Sequence, residues 1–256
     1  SAIGCNKNVG SGETVVLPIL ARYGTDRLWT RTEPKDQSLP NRTRGFEGAL
    51  QASSNDARMN AWFKISIHLG VAESVTAHWF SAVKKAPASC FDAAASTVDA
   101  MVDFDAELGQ LVFTYKHADG SYHRDRIHSM SDGYRGTSSL FADIAYRMAM
   151  LNPALGDRVL KTPGVVMIDE IAFICTLVEG TILEDLVRIF PNVQFVVTTH
   201  SPVVVASVPR DNICILDGET TSVPATETHG RDAGDILKLL DASSRPEEAA
   251  HLFDAF

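Results

Sequence analysis

Gly164-Val165-Val166-Met167-Ile168-Asp169-Glu170 is the stretch that decides the fold. Its continuous apolar run is the pattern of a strand covered on both faces, and such a strand has nowhere to hide a charge. Asp169 and Glu170 are therefore expected at its C-terminal end, the edge at which open α/β sheets bind ligands. Some thirty residues on, Val193 to Thr198 (VQFVVT) repeats the pattern and runs into Thr199-His200-Ser201-Pro202. Ile182 to Phe190, between the two strands, has helical spacing, so the segment predicts a β-α-β unit with a parallel sheet. If the two strands are neighbours, His200 and the Asp169-Glu170 pair share one edge.

Farther out, Val15 to Tyr23 reads as another buried strand with Pro18 at its end or at a bulge, followed by a polar excursion over residues 30 to 45. Helical spacing is expected over Asn55 to Leu69, over Glu73 to Val83, and, after a break at Pro87 to Ser89, over Phe91 to Val102. Gln110 to Ile127 predicts a hairpin about Asp119-Gly120. Ser131 is placed to cap a helix from about Arg135 to Leu151 that Asn152-Pro153 stops. Asn212 to Leu216 predicts a last strand, and Asp235 to Leu240 and Pro246 to Phe256 predict terminal helices.

The 256 residues are 45% hydrophobic and 21% charged, with a formal net charge of −9, which excludes disordered, collagen-like and coiled-coil classes. No run approaches the roughly 18 apolar residues of a membrane span and no secretory leader pattern is present, so a cytoplasmic protein without membrane contact is expected. The acidic balance argues against a uniformly DNA-attracting surface, and residues 1 to 45 carry +3 and the rest −12, which reads as a loop with scattered arginines in preference to a basic N-terminal face on an acidic body. Cys5, Cys90, Cys175 and Cys214 are far apart, without zinc-ligand spacing, and are expected to be reduced thiols.

Each motif has a plain structural alternative. Asp-Glu can cap the next helix, a histidine in a turn often bonds a backbone carbonyl, and Ser131-Asp132-Gly133 can be an ordinary helix start. Taken together and in order, however, Ser-Asp-Gly-Tyr-Arg with its helix, the strand with Asp-Glu, and the strand with Thr-His-Ser-Pro resemble the second half of an ABC-type, SMC- and RecF-like ATPase head. The resemblance is closest to the bacterial stand-alone ATPases that include those of Septu and retron anti-phage systems. LPILARYGTDRLW at Leu17 to Trp29, FPNVQFVVTTHSP at Phe190 to Pro202 and THGRDAGDIL at Thr228 to Leu237 extend it over nearly the whole chain.

The resemblance implies an α/β P-loop NTPase fold, a mainly parallel sheet flanked by helices. Residues of about 50–151 would form an inserted helical signature subdomain and those of about 164–240 the Walker B and switch-histidine core. It also implies ATP and Mg²⁺ as ligands, with Asp169 for the metal, Glu170 as general base and His200 as the switch histidine. Ser131, Asp132 and Gly133 would be the signature loop that meets the ATP of a partner subunit. A homodimer closed by ATP is implied, with a nuclease or other effector and nucleic acid as further partners.

Two departures accompany the resemblance. The phosphate loop G-x-x-x-x-G-K-[ST] is missing, and in Lys7 to Thr14 (KNVGSGET) Glu13 replaces the lysine. The chain therefore reads as an incomplete head lacking its N-terminal P-loop lobe, and as inactive by itself. Ala172 to Thr181 (AFICTLVEGT) also leaves the family pattern, through divergence or a local shift of reading frame. Two other functions remain in view: a non-catalytic docking or dimerisation module, and a metal-dependent nuclease built on Asp103, Asp105 and Glu170. No G-x-S-x-G supports a serine hydrolase.

Overall fold

The computed structural model describes residues 15–24, 42–51, 56–68, 78–95, 97–105, 107, 109–173, 180–217 and 219–239. The expectations placed on Lys7 to Thr14, on most of Ala172 to Thr181 and on Pro246 to Phe256 lie outside them.

Strand β5 (Gly164–Ile168) is the middle of a parallel sheet, with β1 (Ile19–Tyr23) on one side and β6 (Val193–Val197) on the other. The expected α/β class, a parallel sheet flanked by helices, is what the chain has. Ile19 pairs with Gly164 and Tyr23 with Ile168, while Gly164 pairs with Val193 and Ile168 with Val197. All three strands thus end together, and the residue after each belongs to one edge. Helix α4 (Ile182–Ile189) crosses from β5 to β6 and buries Ile182, Leu186 and Ile189, the i, i+4, i+7 face of an amphipathic helix.

Gly164 is fixed by close approach. A Cβ there would stand 2.0 Å from the Ile19 carbonyl oxygen, a backbone atom that cannot turn aside. Gly164→Ala must push β1 away from β5, and we expect it to lower stability by about 1–3 kcal/mol, as overpacking does. Urea unfolding of the variant beside its parent measures this, and an unchanged midpoint would contradict the register.

The helices α1 (Asp56–His68), α2 (His78–Ala95) and α3 (Asp132–Leu151) surround a common core, with an antiparallel sheet of β2 (Val98–Asp105), β3 (Gln110–Lys116) and β4 (Tyr122–Arg126). From Gly136 onward every residue of α3 is buried. It contributes Leu140, Phe141, Ile144, Met148 and Leu151, each stabilising by about 1.5–3 kcal/mol on the usual scale of side-chain burial. Trp62 and Phe63 of α1 meet Phe80 of α2, Phe104 of β2 and Tyr146 of α3, with Trp62 at 5.1 Å from Tyr146 and Phe63 stacked on Phe104 at 5.4 Å. The helix stops where expected. Asn152 then clasps Leu17: the Leu17 N–H donates to Asn152 Oδ1 at 2.8 Å, and Asn152 Nδ2 donates to the Leu17 carbonyl at 2.8 Å. This ties the end of α3 to the entry of β1.

Two expectations are corrected. Pro87 lies inside α2 and does not break it, since the helix runs on through the buried Ala88, Cys90 and Phe91. The helix expected over Phe91 to Val102 ends at Ala95, and Val98–Asp105 is a strand whose Val102 and Phe104 point into the core. A register shift between Val98 and Met101, with Asp99 at φ 57°, bends its start and disguised its two-residue period. The hairpin forms as expected, with Gly120 at φ 87° in its turn. Ile215–Asp217 (β7) pairs with Thr220–Ser222 (β8), and Ala233–Leu239 forms the last described helix, α6. Among the described residues Cys90 is buried and Cys214 exposed, with no disulfide between them; Cys5 and Cys175 lie outside the described residues.

Candidate functional site

The polar residues that follow β5 and β6 meet at the shared edge. Asp169 comes one residue after β5, where its N–H donates to the Tyr23 carbonyl at 2.7 Å and so continues the ladder with β1. Glu170 then turns out of the sheet with φ 48°, a left-handed conformation that non-glycine residues rarely take. On the neighbouring strand end, Thr198 faces both. Its hydroxyl donates to Asp169 Oδ1 at 2.6 Å and accepts the Glu170 N–H at 2.9 Å.

The next two residues hold the other carboxylate. Glu170 Oε1 accepts the His200 N–H at 3.3 Å and faces the Thr199 hydroxyl at 3.5 Å, while His200 Nε2 lies 3.8 Å from Glu170 Oε2. The Glu170 side chain is 13% exposed and that of His200 99% exposed. One carboxylate is thus recessed and bonded, and the imidazole above it is open to an incoming group. Ser201 caps the short helix α5 (Pro202–Ala206) by accepting the Val204 N–H, which fixes the turn that presents His200.

The expected meeting of Asp169, Glu170 and His200 at one edge is found. Thr198 and Thr199 were not singled out from the sequence. Their only signal was position, since hydroxyl residues directly after a buried strand opposite two carboxylates are placed to bond them. Ser131, Asp132 and Gly133 stand at the start of α3. Ser131 takes the N-cap position, as expected, but its side chain makes no capping bond; its carbonyl accepts the Arg135 N–H at 3.0 Å, and Arg135 pairs with Asp132 at 2.8 Å. Asp143, eleven residues and about 16 Å along the helix from Asp132, donates nothing but accepts the Tyr23 hydroxyl at 2.7 Å. Asp103 and Asp105 belong to β2, paired with Lys84 and, more loosely, Arg124, and so to a different sheet from Glu170.

Behind the edge lies a buried polar knot that the sequence did not reveal. Arg147 Nε donates to Asp143 Oδ2 at 2.8 Å, and Arg147 also holds the carbonyls of Gly45 and Glu47, each at 3.1 Å. Burial, and then the adjacent Asp143 carboxylate, push the Tyr23 phenol well above its ordinary pKa, which keeps it a donor. Burial opposes the Arg147 charge, but Asp143 more than offsets this and raises its pKa.

No protein-family model matches the chain. Over 125 residues, 47% of its length, it is 34% identical to the Retron Vc95 probable ATPase of Vibrio cholerae serotype O1 biovar El Tor, and over 121 residues, 46%, it is 33% identical to the Retron Ec83 probable ATPase of Escherichia coli. This chain is similar to retron ATPases. The match spans 24% and 22% of those two retron proteins, so about a quarter of their length is represented. A solved structure described as "Structural biochemistry of ATP-driven dimerization and DNA stimulated activation of SMC ATPases" is similar over 65% of this chain and 95% of that one. At 18% identity and a TM-score of 0.37, that likeness is too distant to carry an argument.

Proposed function

We propose that the chain forms the Asp-Glu and histidine part of an ABC/SMC-like ATPase head, related to those of retron systems, that hydrolyses ATP in the complete protein. The observation that carries this reading is the cluster of Asp169, Glu170, Thr198 and His200 at the C-terminal edge of a parallel sheet, with Glu170 in a left-handed backbone conformation. Backbone strain of this kind gathers at active sites, and a docking module would have no use for it. The retron relatives supply the reaction class.

The donors present fit Mg²⁺. Among the described residues no group of three or more His, Cys, Asp or Glu could cage a metal, and Mg²⁺ is the cation that takes one or two carboxylates and completes its shell with water and substrate phosphates. Asp169 would hold it, and the ion would supply positive charge against the phosphate oxygens. Glu170 orients the attacking water and takes its proton, from a carboxylate whose position His200 and Thr199 hold. His200, open to solvent, contacts the γ-phosphate. Ser131, Asp132 and Gly133, with the free N–H groups at the start of α3, meet the ATP of a second copy, so that ATP closes a homodimer. An anti-phage effector, a nuclease among the candidates, and nucleic acid are the partners we assign to the complete protein. The nuclease reading of this chain finds no support, because Asp103 and Asp105 are on another sheet.

The test is the complete protein in solution. We expect Mg²⁺-dependent ATP hydrolysis that a chelator stops, and a dimer, seen by light scattering, that forms with ATP and not without it. No nucleotide binding by the complete protein would overturn the proposal.

A further inference from the structure

We infer that Thr198 is a positioning residue that sets the Asp169 carboxylate and the strained Glu170 backbone together through one hydroxyl, an inference that rests on reading the pair as the hydrolytic site. Thr198 brackets the pair from both sides. Its N–H donates to the Ile168 carbonyl at 2.9 Å and its carbonyl accepts the Ile171 N–H at 3.1 Å, so its backbone is bonded to the residues immediately before and after Asp169-Glu170. Its side chain fills the space between. A hydroxyl has one proton to donate and lone pairs to accept with, and both are in use here: the proton goes to Asp169 Oδ1 at 2.6 Å and a lone pair takes the Glu170 N–H at 2.9 Å. The first bond is charge-assisted and directional, fixing the carboxylate's rotation. The second holds the peptide that carries Glu170 at φ 48°, which would otherwise relax toward the right-handed region.

The β-branched side chain strengthens the arrangement, because threonine is stiff at χ1 and its hydroxyl does not wander among rotamers. The consequence extends past both strand ends. Glu170 Oε1 is met by the N–H of His200, two residues beyond Thr198, so the same strand end that orients the metal-binding carboxylate also fixes the distance between Glu170 and the histidine. Outer groups that orient a metal ligand typically matter by about 10–100-fold in metal affinity or activity.

The experiment compares Thr198→Val, which keeps the shape and loses both bonds, with Thr198→Ser, which keeps the hydroxyl, in the complete protein. Binding of a fluorescent ATP analogue is titrated with Mg²⁺ alongside turnover. Thr198→Val is expected to raise the Mg²⁺ concentration for half-maximal nucleotide binding by about tenfold and to lower kcat by about tenfold, while Thr198→Ser stays within about twofold of the parent. Two results overturn the inference: both variants matching the parent, or both impaired equally, since then the hydroxyl is not the cause. Glu170→Gln is assayed beside them. If it abolishes turnover while Thr198→Val matches the parent, the positioning role alone fails. If it hydrolyses ATP at the parent rate, the reading of the pair fails and the inference with it.

Discussion

Glu170→Gln in the complete protein is expected to lower ATP hydrolysis by about 10²- to 10⁴-fold, the range for loss of a general base, while nucleotide binding survives. The amide keeps the shape and can still accept the His200 N–H, so the cluster persists and only the proton acceptor is lost. On the proposed closure by ATP, the ATP-bound dimer is expected to accumulate, because closure proceeds and its release step does not. Asp169→Asn behaves differently. It removes the charge of the carboxylate that accepts the Thr198 hydroxyl bond, and it is expected to weaken Mg²⁺-dependent nucleotide binding itself. If the two carboxylates merely capped the short helical turn at Ile171–Phe173, both variants would instead shift stability by about 1 kcal/mol or less and hydrolyse alike. Single-turnover hydrolysis beside equilibrium binding separates these outcomes, and parent rates in both variants would sink the assignment.

Asp143→Ala destabilises the fold by about 3–5 kcal/mol, the scale for removing one partner of a buried ion pair. The side chains of Asp143 and Arg147 are 2% and 6% exposed, so the guanidinium left behind has no water to turn to. Tyr23 loses its acceptor at the same time. The double replacement Asp143→Leu with Arg147→Met leaves no unpaired charge and is expected to recover part of the loss. It cannot recover all of it, because Arg147 also satisfies the carbonyls of Gly45 and Glu47. Urea unfolding of the single and double variants measures the difference, and an Asp143→Ala midpoint equal to that of the parent would contradict the buried pair.

The sheet edge was legible because its signals are local. Continuous apolar runs at Gly164–Ile168 and Val193–Val197 gave the parallel β-α-β unit, and polar residues directly after them had to emerge together once the strands were neighbours. The strand Val98–Asp105 was missed because a shifted register at Val98 and Met101 interrupts its alternation just where an alanine-rich helix precedes it. Pro87 misled for a related reason: local propensity argues for a break, while the packing of Val83, Ala86, Cys90 and Phe91 keeps the helix whole. Thr198 meets partners 28 and 29 positions away and Tyr23 one 120 positions away, separations that no spacing within one segment encodes. Asp143 and Arg147 are four apart on α3, and what the sequence hid there was their burial.

The position of β5 in its sheet has a mechanical consequence. Among the described residues it is the strand of its sheet bonded along both sides, while β1 and β6 are each bonded along one. Detaching β5 opens two ladders among the described residues and detaching β6 only one, so local opening is expected first on the strand that leads to the histidine. Among the described residues the two carboxylates therefore follow a strand held by two ladders, and His200 follows one held by a single ladder. An opening that frees β6 must therefore also break the bonds that Thr198 and His200 make across to the two carboxylates.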